Sequence, residues 1–244
     1  MKKRIKIIIS YDGSKFYGSQ IQSGKKELSV TGILKKAFLA LHVKEIPQAS
    51  GRTDRGVHAL NQVYHIDIPD YLFDLNKLST TLNRTIHPYA HIKNIEFVNS
   101  DFHARFQAKK RLYRYIVSHE AYTPFMSDYF NFMPTLDIKT LNKGAKLFTG
   151  KHDFKYFMKK GSETQSTVRE IFKSGVYRYK NHTIIYFIGN SFLRSQIRMM
   201  CDFLFKLEKG VLSYQDLKNQ LNGIKRTSTS LAKPEGLYLS RIYY

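Results

Sequence analysis

Residues 51–60 read Gly-Arg-Thr-Asp-Arg-Gly-Val-His-Ala-Leu, which puts one carboxylate, Asp54, between Arg52 and Arg55 and inside two glycines. Positive charge on both sides favours the ionised form of Asp54. Such a group is a poor general acid. It suits a nucleophile or an electrostatic stabiliser. Gly51 and Gly56 permit a turn, or a close ligand approach, that a Cβ would block. The spacing by itself also describes a charged surface turn. Arg52 and Arg55 have two readings: phosphate contacts near the target, or parts that shape the loop.

The rest of the chain bounds the partner. Its 244 residues carry 40 Lys+Arg against 19 Asp+Glu, a formal charge of +21. That excess predicts a polyanion, and 17 Tyr with 17 Phe offer surfaces on which bases could stack. His58, His103 and Arg105 are candidate RNA contacts, and Lys109-Lys110-Arg111 and Lys159-Lys160 candidate phosphate contacts. A single cysteine, Cys201, excludes an intrachain disulfide and suits buried packing. Nine histidines without metal-ligand spacing argue against zinc, so no metal is expected. No apolar run follows the basic Met1-Lys2-Lys3-Arg4, which reads as a cytoplasmic protein.

The positioning elements are legible in outline. Ile5, Ile7 and Ile9 alternate as in a strand, and Val30 through Leu41 form a helical face behind a Ser29 cap. A strand holds Tyr64, Ile66 and Ile68; a helix follows from Asp74, then a strand near 92–98. Tyr113, Tyr115 and Val117 share a strand face. Asp137 caps a helix, with Leu136 and Leu141 placed for a staple. Residues 168–179 and 183–188 read as paired strands. A long helix is expected from about Phe192 to Glu208, which would put Arg194 and Arg198 one turn apart on one face. Ser213 to Asp216 reads as a capping box. The fold class is α+β: two halves, 1–108 and 109–244, with mixed, mostly antiparallel sheets flanked by helices.

Seven blocks in order resemble the tRNA pseudouridine synthase A (TruA) family. They are Tyr11-Asp12-Gly13 with Phe16, Gly18 and Gln20; the 51–60 loop; Phe102-His103-Ala104-Arg105-Phe106 with Arg111 to Tyr115; Gly150 to Phe154; Thr167 to Ile171; Phe192-Leu193 with Ile197-Arg198; and Gly236 to Leu239. The resemblance implies two α/β halves related by approximate two-fold symmetry, with a basic cleft between them. It implies that Asp54 is the catalytic nucleophile, that Tyr113 stacks on the target base, and that Arg198 pairs with Asp54. From the residues alone, Arg52 is favoured as a phosphate contact, and Arg194 could line a basic cleft through the helix face that it would share with Arg198. The resemblance also implies a homodimer that modifies positions 38 to 40 of the tRNA anticodon arm.

From the residues alone, Tyr113 also fits plain strand packing, and Arg198 a solvated basic helix face. The chain departs from the family pattern at Arg194 and Ser195, where two histidines are usual, and at Asp202, where a glycine is usual. The chemistry fits one carboxylate: uridine's N1–C1′ bond breaks and a C5–C1′ bond forms, a rearrangement that needs no redox cofactor. Two other readings stay open, a noncatalytic RNA-binding protein and an N-glycosidase, though a glycoside hydrolase ordinarily uses a pair of carboxylates.

Overall fold

A computed structural model describes residues 2–21, 28–159, 161 and 164–244. Met1 and Lys160, two members of the expected basic runs, lie outside the described residues. The chain forms two compact units, Met1–Lys109 with Leu239–Tyr244, and Lys110–Tyr238. The last strand therefore returns to the first unit instead of staying with residues 109–244.

The first unit comprises β1 (Lys2–Tyr11), α1 (Val30–Leu39), β2 (Gln48–Ala49), β3 (His58–Pro69), α2 (Leu75–Ile86) and β4 (Ala90–Phe97). β1 lies antiparallel between β3 and β4. Its alternation is the sequence pattern made solid: Ile5, Ile7 and Ile9 are fully buried. Both helices start at a side-chain cap, Ser29 accepting from Gly32 N–H and Asp74 from Lys77 N–H. α1 buries Val30, Leu34, Ala37 and Phe38, and α2 buries Leu78, Leu82 and Ile86.

His65, on β3, is buried and its Nδ1 accepts from Ala104 N–H at 3.2 Å. Burial first, and then the neighbouring His103, push this imidazole down to about 4. The native state thus holds His65 neutral, whereas an unfolded chain takes up a proton below about 6.5. Its contribution to stability is full above that value and is lost as pH falls through the folded value. Urea unfolding between pH 7.5 and 5 should show wild type losing stability faster than His65→Asn; parallel curves would contradict this.

The second unit comprises β5 (Lys110–Ser118), β6 (Asn131–Phe132), α3 (Ile138–Lys146), β7 (Gly150–Asp153), β8 (Val168–Tyr179), β9 (His182–Gly189), α4 (Gln196–Glu208) and α5 (Tyr214–Leu221). β10 (Leu237–Tyr243) crosses the boundary between the units. Its part in the first unit accepts from the Asn61 side chain through Ser240 C=O, and from Lys109 N–H through Tyr243 C=O. β9 is antiparallel to β5 and β8, β7 is antiparallel to β8, and β6 is parallel to β5. The sheets are mixed and mostly antiparallel, as the α+β reading expected. Asp137 caps α3 through Lys139 and Thr140 N–H, and Ser213 with Asp216 forms the full capping box of α5. A cluster of Phe148, Phe157, Phe187 and Phe203 fills the interior, with ring centroids 5.3–6.1 Å apart.

One element differs from its expected bounds. α4 begins at Gln196, not near Phe192, because Ser195 adopts a left-handed φ of 59° that a continuing helix cannot hold. No side chain caps α4; its first residue, buried Gln196, instead ties down the preceding segment, its Oε1 accepting from Leu193 N–H at 2.8 Å. Cys201 is buried, as packing predicted.

Candidate active site

The Asp54 loop is braced from three sides. Asp54 C=O accepts from Val57 N–H at 3.2 Å, closing a turn in which Gly56 takes the left-handed φ of 78° that the turn requires. On the N-terminal side, Thr53 N–H donates to Ser19 Oγ at 2.8 Å, Ser19 N–H donates to Thr53 C=O at 3.2 Å, and Thr53 Oγ1 lies 2.8 Å from Tyr11 Oη. Gly18 makes this approach possible: at φ 104° a Cβ there would sit 3.1 Å from Thr53 C=O. Behind the loop, fully buried Gln62 accepts from Ser50 Oγ at 2.8 Å and donates to Gly51 C=O at 3.0 Å. Buried polar groups satisfied in this way fix one conformation. Asp54 itself remains partly exposed, with Arg52 and Arg55 exposed on either side.

His58 was a candidate RNA contact; the structure corrects that. It is buried, and its Nδ1 accepts from Gly13 N–H at 3.0 Å. That nitrogen also lies 3.4 Å from an Asp12 carboxylate oxygen. An Nδ1 accepting from Gly13 carries no proton, so we read this approach as proximity rather than an ion pair. His58 fastens the residue 12–14 turn to the far side of the Asp54 loop. Arg55 lies over the half-exposed ring of Tyr17, 4.2 Å from its centroid, offering a flat cationic surface beside Asp54. Arg105 is exposed, while His103 accepts from Arg105 and Phe106 N–H and so shapes its own loop. Arg111, from the expected phosphate-contacting run, is buried and donates to Asn190 C=O.

In the second unit, Tyr113 on β5 is buried, with its ring edge-on to Phe192 at 5.3 Å. Arg198 occupies the first turn of α4 and is partly exposed. Its Nε donates to Ala232 C=O at 2.7 Å, and Ala232 N–H donates back to Arg198 C=O at 3.1 Å. Arg194 is exposed but precedes the helix, so the expected shared face with Arg198 does not form. Among the described residues, no group of three His, Cys, Asp or Glu could hold a metal ion, and no helix is long and apolar enough to cross a membrane.

Sequence reasoning missed the supports. Gln62, Ser50 and Ser19 lie outside any functional pattern because a buried polar side chain looks like a surface one until its partners are known. Tyr11 and Gly13 carried a signal in the N-terminal block, though not its meaning as a brace.

What the fold and this loop define is a strongly basic α+β protein that offers one aspartate on a rigid, arginine-flanked turn. Comparison with known proteins makes that class specific. A family model described as tRNA pseudouridine synthase matches residues 145–244. A tRNA pseudouridine synthase A of Campylobacter jejuni is 44% identical over 241 residues, covering 99% of both chains. Relatives of the same description from Wolinella succinogenes and Helicobacter pylori are each 36% identical, covering 97% and 98% of this chain and 92% and 98% of their own. A chain from a solved Cbf5-Nop10-Gar1 complex aligns at 12% identity with a TM-score of 0.32, covering 81% of this chain and 44% of its own, too slight a likeness to carry an argument. The chain belongs to the tRNA pseudouridine synthase A family.

Proposed function

We propose that this chain isomerises uridine to pseudouridine at positions 38 to 40 of the tRNA anticodon arm, with Asp54 as nucleophile and no cofactor. Family membership supports the coarser activity, tRNA pseudouridylation by an isomerase. The observation that carries the Asp54 reading is its loop, which leaves Asp54 partly exposed and is fixed by buried hydrogen bonds behind it.

A carboxylate carried on a loop whose backbone is held in this way is preorganised for one approach to a sugar carbon, which lowers the barrier. Asp54 attacks C1′, or removes a sugar proton in a glycal route, as the uridine N1–C1′ bond breaks. The base turns and C5 joins C1′ as the Asp54–C1′ ester bond breaks, or, in the glycal route, as Asp54 returns the sugar proton; the C5 proton passes to solvent and N1 takes one up. Electrons balance throughout, so the reaction requires no oxidant or reductant. Reaching a stem uridine means flipping it out, at a cost of a few kcal/mol. Arg52, Arg55 and Arg105 are exposed cations suited to the tRNA backbone, and Arg194 joins them. Tyr113 and Arg198 keep the roles that the resemblance gives them, base stacking and service to the aspartate. His58 keeps only a bracing role. We infer further a cytoplasmic homodimer.

The test is to treat unmodified tRNA transcripts with purified protein and map pseudouridine by nucleotide. Product confined to positions 38 to 40 supports the reading, and product elsewhere overturns the site assignment. Tight tRNA binding without product would favour the noncatalytic protein, and free uracil the glycosidase.

A further inference from the structure

Arg198, Asp202 and Lys206 stand four residues apart on α4, so they form one stripe of that helix. The segment 226–232 runs along it and is fastened to it at two places. At one end is the Arg198–Ala232 pair described above. Two turns further on, Lys206 Nζ lies 3.0 Å from an Asp202 carboxylate oxygen and donates to Ser228 Oγ at 3.0 Å and to Ser230 Oγ. Ser230 Oγ in turn donates to Asp202. The start of the segment is held independently: buried Gln220 accepts from Thr227 and Ser228 N–H, both at 2.8 Å, and donates to Ser228 C=O at 2.9 Å.

Among the described residues, the hydrogen bonds of Asp202 and Lys206 to Ser228 and Ser230 tie the segment to α4 between the Gln220 anchor and Ala232, whose carbonyl accepts from the Arg198 guanidinium. Asp202 also stands at i+4 from Arg198, the spacing at which a carboxylate reaches a cation on the same helix. Lys206 and Ser230 keep that carboxylate occupied. We propose that Asp202, Lys206 and Ser230 are positioning residues for Arg198: they hold the strap whose Ala232 carbonyl aims the guanidinium, and Lys206 keeps Asp202 from becoming a rival acceptor. This rests on the reading that Arg198 serves the reaction.

The test measures single-turnover pseudouridine formation at saturating protein, where the rate constant does not depend on the fraction of active molecules. Lys206→Met should lower that rate constant about tenfold to a hundredfold, the scale of a small misplacement. Half-saturation by tRNA should stay within about twofold. Adding Asp202→Ala to Lys206→Met should recover part of the loss by removing the rival carboxylate. In an Arg198→Lys background Lys206→Met should be nearly silent, since coupled residues do not add. Ser230→Thr, which keeps the hydroxyl, should stay closer to wild type than Ser230→Ala. A wild-type rate constant in Lys206→Met, even with lowered thermal stability, overturns the proposal, as does an undiminished effect in the Arg198→Lys background. Full wild-type activity that survives Arg198→Lys unchanged would overturn the role of Arg198 itself, and a wild type without product would overturn the functional reading together with this one.

Discussion

Asp54→Asn should lower pseudouridine formation by on the order of 10⁴-fold or more, the scale seen when a nucleophile is removed from a preorganised site. The substitution is nearly isosteric, and the loop's anchors are Ser19, Tyr11, Gln62 and the turn bond to Asp54's own carbonyl, none of which uses the carboxylate. Asp54→Glu keeps the charge but displaces it by one methylene, and about a hundredfold loss is expected from misplacement alone. The ordering wild type, Glu, Asn separates a nucleophile from a plain surface charge. Single-turnover nucleoside analysis reads it directly, and an Asn variant as active as wild type would remove Asp54 from the chemistry.

Gly13→Ala should be among the most damaging single changes in the first unit. A Cβ there would lie 2.1 Å from the Val57 carbonyl oxygen and 2.3 Å from its carbon, and backbone cannot swing aside as a side chain can. The 12–14 turn and the 56–58 segment must separate, breaking the His58–Gly13 bond and loosening the Asp54 turn together. We expect about 3 kcal/mol of lost stability or more, at or beyond the upper range for overpacking, with activity falling in parallel. Gly144→Ala is the control. Its Cβ meets the tip of the Leu204 side chain at 2.7 Å and otherwise makes ordinary contact with Leu207 at 3.6 Å, and it replaces glycine in a helix, so it should be tolerated. Urea unfolding of the two variants checks this; equal midpoints would contradict it.

Much of the fold was legible because it is written in local patterns. Ile5, Ile7 and Ile9 alternate where β1 buries one face. Ser29, Asp74, Asp137 and Ser213 stand as N-caps because each has an oxygen one short reach from the backbone amides it accepts. The start of α4 was not legible, since Phe192 to Ser195 continue an apolar-and-basic helical pattern. What stops the helix there is Ser195's left-handed backbone together with Gln196's bond to Leu193, a local preference overridden by tertiary packing. β10 went unread because its alternation breaks, with Leu239 and Ser240 both buried between Leu237 and Ile242.

The candidate site divides the same way. Asp54, Arg52 and Arg55 were legible because charge and glycine spacing are properties of one short string. His58 was misread for the complementary reason: a histidine in a charged loop gives no sign that Gly13, 45 positions away, will bury it and take its lone pair. The Asp202–Lys206–Ser230 latch joins α4 to a segment more than twenty residues on, and no local period could announce it.

The most direct measurement is tritium release from tRNA carrying 5-tritiated uridine, with chelator-treated protein and nothing else added. Joining C5 to C1′ must expel the C5 hydrogen, so release reports the bond that the account turns on. We predict release by wild type in step with pseudouridine formed, and none above background by Asp54→Asn. Equal release by both proteins would contradict the role of Asp54, and no release by wild type on tRNA that it binds would contradict the isomerase itself.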